Sequence, residues 1–136
     1  MTEMDVWYEG DLATRAVHPL NESVVHTDGP KEVGGRGKNF SPTDLFAASL
    51  ASCMLTMMGI AAKKLNVDLK GMRAKVSKEM ATTPPRRISR IKVDFFCPHH
   101  LPAEAIAKLV QAAESCPIHH TIDRDVKIEC SYQWGP

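Results

Sequence analysis

The chain has 136 residues, with 17 basic and 16 acidic side chains and a formal net charge of +1. Charge so balanced and dispersed excludes the basic footprint of a nucleic-acid binder and the polybasic patch of a membrane-surface protein. The length suits one domain, residues 1–136, able to bury a core without disulfides or a structural metal.

The opening, MTEMDVWYEGD, has no basic start followed by an apolar run, so no secretory signal is expected and the cytoplasm is the default compartment. There the four cysteines are expected to be reduced unless their chemistry is redox chemistry. Val6, Tyr8 and Leu12 fall in period two, which predicts a strand over Val6 to Leu12 beside a turn at Glu9-Gly10-Asp11. A second extended piece is expected from Ser23 to Thr27, then a turn at Asp28-Gly29-Pro30. The loop Gly34-Gly35-Arg36-Gly37-Lys38-Asn39 has the glycines of a phosphate cradle but not the Walker spacing or its Lys-Ser/Thr ending.

Ser41 to Leu65 is the dominant segment, an apolar helix without a charged residue from Leu45 to Ala62. At about 1.5 Å per residue it is on the order of 36 Å long. Ser41 fits as N-cap, Pro42 as the first helical residue and Asp44 as the acid of a capping box. Lys63-Lys64-Leu65 suits the C-terminal end, with Asn66 breaking the run. Apolar residues fall on every side, so the helix should be surrounded by its own sheet or by a partner chain. Ser49, Ser52, Thr56 and Gly59 keep its hydrophobicity modest, and the rest of the chain supplies strands that need a core, so a core helix is expected rather than a membrane span.

Val67 to Met80 reads as a strand or bent strand pair, with a bulge or turn at Gly71, and Thr82 to Arg87 as a hairpin-like connection. Ile91, Val93, Phe95 and Cys97 alternate with polar positions as one buried strand face, placing Cys97 in the core. A second, amphipathic helix opens at Pro102 and ends near Ser115, with Ile106, Leu109, Val110 and Ala113 as its stripe. The chain closes on a strand from Val126 to Trp134, whose apolar face includes Cys130. No repeat or linker interrupts the pattern, and a single α+β domain is expected.

Cys53 and Cys116 remain. If Pro117 starts a short helix, Cys116 is its N-cap, where free N–H groups favour a thiolate. Cys53 lies about three turns inside its helix, beyond the reach of the macrodipole, and burial alone disfavours a thiolate. A working thiol there needs a cation from elsewhere. Lowering a thiol from about 8.5 to about 6.5 takes ~2.7 kcal/mol, within the ~4 kcal/mol of a unit charge at 4 Å and an effective dielectric of 20. One arginine suffices. On composition alone, a lone cysteine on an apolar helix is core material.

The run from Pro42 to Cys53, PTDLFAASLASC, resembles the central-helix motif of the OsmC/Ohr family of thiol-dependent hydroperoxide reductases. Glu114-Ser115-Cys116-Pro117-Ile118 resembles that family's second cysteine followed by proline, and the Trp7-Tyr8-Glu9-Gly10-Asp11 opening and the alternating last strand also fit. The resemblance implies an OsmC-like fold, with curved antiparallel sheets packed around a long central helix, in an intertwined homodimer. It also implies that Cys53 attacks a hydroperoxide and becomes a sulfenic acid, and that Cys116 resolves it as a disulfide reduced by an external dithiol, with no cofactor. The family's arginine maps best to Arg15, with Arg36 as the runner-up. One position departs: Thr43 stands where the peroxidases usually carry a glutamate that orients the arginine, and Asp44 is the neighbouring carboxylate.

Two other readings compete. Cys97, His99, His100, Cys116, His119 and His120 offer metal-ligand types, without a CxxC pair. The second is an OsmC-like dimer without peroxidase activity, acting as a small-ligand-binding or redox-responsive stress protein, with Met54, Met57 and Met58 around an apolar pocket.

Overall fold

The computed structural model describes all residues, 1–136, and the chain divides into two compact units, residues 1–46 and 47–136. In the first unit, β1 (Asp5–Gly10), β2 (Ala13–Val17) and β3 (Val24–Asp28) form an antiparallel sheet in that order. The sequence pattern predicts one strand running on to Leu12 and gives no signal for β2. The strand stops instead at Gly10, because Asp11 and Leu12 both take left-handed backbone (φ 52° and 61°), as a tight hairpin turn requires. A leucine rarely adopts that conformation. Here it is clamped: its N–H donates to Tyr8 Oη at 3.3 Å, and its carbonyl accepts the Gly29 N–H at 2.7 Å.

After β3 the glycine loop folds onto the Gly29 turn. A Cβ on Gly35 would lie 1.9 Å from the Gly29 carbonyl oxygen, so only glycine fits there. The loop leads into α1 (Pro42–Leu65), whose start is the expected capping box. The Asp44 N–H donates to Ser41 Oγ, and the Ser41 N–H donates to Asp44 Oδ2, each at 3.1 Å. At the other end Asn66 is left-handed (φ 54°). The Val67 N–H reaches the Ala62 carbonyl at 3.0 Å and the Asn66 N–H reaches that of Lys63 at 3.3 Å, which closes the helix as a Schellman motif.

In the second unit, β4 (Arg73–Met80), β5 (Ile88–Cys97) and β6 (Lys127–Trp134) form a sheet in that order. Strand β4 starts later than expected because Asp68 to Gly71 turn first: the Lys70 N–H donates to Asp68 Oδ1 at 2.8 Å and Gly71 has φ 90°. The expectation of antiparallel sheets fails for one pair, since β5 and β6 run parallel. Their connection carries α2 (Ala103–Glu114) and α3 (Pro117–Thr121), a crossover that brings the chain back to the end of the sheet where β5 begins, so that β6 forms the edge opposite β4.

The core of this unit lies between α1, α2 and that sheet. Leu50, Met54 and Met58 of α1, Ile91, Val93 and Phe95 of β5, and Leu109 of α2 are fully buried in one cluster with Cys116. Each such side chain contributes roughly 1.5–3 kcal/mol of burial. By length and composition α1 could cross a membrane, yet its buried stripe of Ala47, Leu50, Ala51, Met54, Met58 and Ala62 repeats at helical spacing toward this core. The helix is not surrounded on every side within the chain: Ile60 remains 47% exposed and Ser52 and Thr56 face out.

Candidate functional site

Cys116 stands at the joint between two helices. Ser115 ends α2, and Pro117, with its fixed φ and missing N–H, opens α3, so Cys116 becomes the N-cap as its sequence suggests. Its Sγ accepts the His119 N–H at 3.2 Å. The side chain is fully buried, and burial pushes the thiol above its ordinary range, opposed by the His119 N–H and reinforced by the neighbouring Cys53 thiol.

Cys53 sits half-buried on α1 and packs against the same cluster that contains Cys116. Cys53 is near enough to Cys116 to push its thiol up, and both are free thiols. Two cysteines separated by most of the second unit's sequence are thus placed side by side.

Cys97 is buried, as its place on the β5 face indicates. Cys130 is only half-buried and sits in company that strand alternation does not reveal. Burial first, then the Glu114 carboxylate, push its thiol up to about 11, and Cys116 adds to the same effect. Beside it the Tyr132 hydroxyl is buried without a hydrogen-bond partner, while its ring stacks on Phe95 at 5.0 Å and on Trp134 at 6.3 Å. Burial, with Cys130 and Glu114 nearby, holds that phenol strongly protonated.

In the first unit, Arg15 lies on β2. Its guanidinium carbon is 4.3 Å from the centre of the Trp7 ring, and its Nε is 3.5 Å from Glu9 Oε2. Arg36 has a different engagement, with its Nε 3.5 Å from Oδ1 of the buried Asp28. Asp28 Oδ2 accepts the Lys38 N–H at 3.1 Å, and the Asn39 N–H and side-chain amide at 2.8 and 3.1 Å. Burial pushes this carboxyl up, but the Asn39 donors, Arg36 and the Lys38 N–H outweigh it and leave it below the usual range. The glycine loop therefore does cradle an anion with its N–H groups, and that anion is the chain's own Asp28. From sequence alone Asp28 is only a turn residue; the signal that points to it is a glycine loop rich in donors with no acceptor of its own.

Thr43 lies at the helix start with its hydroxyl 3.2 Å from Ser41 Oγ, and Asp44 takes part in the capping box. No three His, Cys, Asp or Glu side chains converge in a way that could hold a metal ion, so the two Cys-His clusters of the sequence do not form one centre. Met54 and Met58 are fully buried core rather than the wall of a pocket. A groove of about 480 Å³ does run beside α1, lined by Ala48, Ala51, Ser52, Leu55, Thr56, Ala74 and Val76. With about 100° of turn per residue, its centre lies on another side of the helix from Cys53.

Residues 35–131 match the family described as OsmC-like protein. A crystal structure from Psychrobacter arcticus, of a protein named for an osmotic stress induced and detoxification response, superposes with a TM-score of 0.93 at 38% identity, covering 98% of this chain and 96% of that one. An OsmC-like protein from Mycoplasma pneumoniae (TM-score 0.83, 17% identity, 100% and 98% covered) shares the fold. So does an organic hydroperoxide resistance protein OsmC from Legionella pneumophila (TM-score 0.76, 21% identity, 98% and 96% covered). Comparison with curated proteins gave no match. The extent of the family match and the 38% identity over nearly the full length show that this chain belongs to the OsmC-like protein family.

Proposed function

We propose that this chain is a cysteine-based peroxidase that reduces organic hydroperoxides, with Cys53 as attacking thiolate and Cys116 as resolving thiol. The observation that carries the reading is the pairing of two free thiols, Cys53 and Cys116, in one apolar cluster. Family neighbours named as organic hydroperoxide resistance proteins support the substrate class.

The chemistry follows from that pair. The Cys53 thiolate attacks the outer oxygen of the O–O bond, the bond breaks, and the departing alkoxide takes a proton to leave as alcohol. Cys53 is now a sulfenic acid. The Cys116 sulfur displaces its hydroxyl, forming the Cys53–Cys116 disulfide and releasing water. An external dithiol then reduces that disulfide and is itself oxidised. Burial of Cys116 keeps it protonated until the sulfenic acid is in place, so it does not compete for peroxide. Arg15 is the cation we assign to the Cys53 thiolate.

The chain works in the cytoplasm as a homodimer on this reading. The half-open apolar side of α1, with Met57 and Ile60, is the surface a second copy would cover. The reading is tested by following loss of cumene hydroperoxide with dithiothreitol as reductant. Native protein should turn over and Cys53→Ser should not; equal, background rates for the two would refute it.

A further inference from the structure

Helix α1 carries three methionines just beyond Cys53, and they differ in setting. Met54 and Met58 are fully buried in the core cluster, whereas Met57 is half-buried and packs on the margin of that cluster, as Cys53 does. At about 100° of turn per residue, Met54 and Met58 lie roughly 100° and 140° round the helix from Cys53, and Met57 only about 40°. Met57 is also one turn on, and side chains four apart on a helix are neighbours, with Cβ atoms about 5–6 Å apart. The half-open side of α1 therefore presents two sulfurs together, a thiol and a thioether. The peroxidase reading uses only the first.

We infer that Met57 is a second oxidisable sulfur of the hydroperoxide site, which takes the oxygen of a hydroperoxide when the Cys53 thiol is not there to take it. The inference rests on the reading of Cys53 as attacking thiol. The step balances without a further reactant. A lone pair of the Met57 sulfur attacks the outer peroxide oxygen, the O–O bond breaks, and the hydroperoxide's own proton passes to the departing alkoxide. The products are methionine sulfoxide and one alcohol: the sulfur is oxidised by two electrons and the peroxide bond is reduced by two. A thioether has no proton to lose, so this step needs neither a thiolate nor a cation. What it needs is placement, and a hydroperoxide held against Cys53 is already beside Met57. The sulfoxide puts a polar group on the half-open apolar side of α1, where it stays until a methionine sulfoxide reductase removes it.

The molecule supplies its own controls. Met72 and Met80 are half-buried in the same unit, and Met4 is 62% exposed. The test treats the full-length Cys53→Ser chain with cumene hydroperoxide and follows sulfoxide at each methionine by peptide mass mapping, with circular dichroism confirming the fold. Met57 should oxidise at least roughly fivefold faster than Met72, Met80 and Met4, and unfolding in urea should bring all four to within about twofold of one another. The native chain under excess hydroperoxide, once its thiols are oxidised, should give the same order. Met57 no faster than Met72 and Met80 in the folded chains, or Met4 ahead of it as exposure alone dictates, would overturn the inference. A native chain whose thiols stay reduced brings down the peroxidase reading alone; the order of the methionines in the Cys53→Ser digest still decides this one.

Discussion

The Cys116 thiol lies against the Cys53 thiol, one presented by the cap of a five-residue helix and the other by the middle of a 24-residue helix. Cys53 makes Cys116 harder to ionise, and burial of Cys116 is the larger cause. Replacing Cys53 by alanine should therefore let Cys116 ionise at lower pH, both by removing its neighbour and by admitting water. The pH dependence of Cys116 alkylation in native and Cys53→Ala protein checks this. A midpoint that stays put or rises would contradict the pairing.

Cys130 carries a prediction about alkaline stability. Its thiol is held up to about 11 in the folded chain, against about 8.5 for a free thiol. The folded state thus favours the neutral form: its stability is intact below the free-thiol value and is lost as pH rises toward the folded one. Tm should fall between those two pH values in native protein and fall less in Cys130→Val, where no thiol titrates. Parallel melting curves against pH decide it.

The acid side depends on Asp28. Its folded carboxyl titrates below the usual range, so its contribution is present above pH ~4 and lost as pH falls through the folded value. Asp28→Ala strips the Lys38 and Asn39 N–H groups of their acceptor and Arg36 of its ion pair. We expect Tm to drop by roughly 5 °C or more at neutral pH. The gap to native protein should narrow in acid; a gap constant from neutral pH to pH ~3 would contradict the assignment.

How much of this was legible in the sequence follows from what each signal encodes. The cap of α1, the β5 alternation and the N-cap place of Cys116 are local patterns, and each is found where its pattern lies. Strand β2 is not, because Ala13–Val17 is short and weakly patterned and its turn depends on two non-glycine residues in left-handed backbone. The parallel β5–β6 pair, the Asp28 carboxylate in its glycine loop, and Glu9 beside Arg15 are products of pairing between distant segments. Composition carries no record of them. The fold was readable because the resemblance spans most of the chain; the electrostatic partners were not, because the pairing of distant segments chooses them.

The open apolar side of α1 gives a fourth expectation. Ile60 is 47% exposed on a helix otherwise occupied with core packing. If a second copy covers it, Ile60→Glu buries an unpaired charge at the interface and should convert the protein to monomers with its secondary structure kept. Sedimentation equilibrium separates the outcomes. A native chain that is monomeric at micromolar concentration would remove the dimer from the account.

The central claim is that Cys53 and Cys116 act as one redox pair, and the most direct measurement is mass mapping of the purified, pre-reduced chain after a single equivalent of cumene hydroperoxide. The expected product is a Cys53–Cys116 disulfide in the native chain, with Cys97 and Cys130 still reduced. In Cys116→Ser, Cys53 should instead be trapped as sulfenic or over-oxidised acid. Recovery of all four thiols reduced, or of oxidation confined to cysteines other than Cys53 and Cys116, would contradict it.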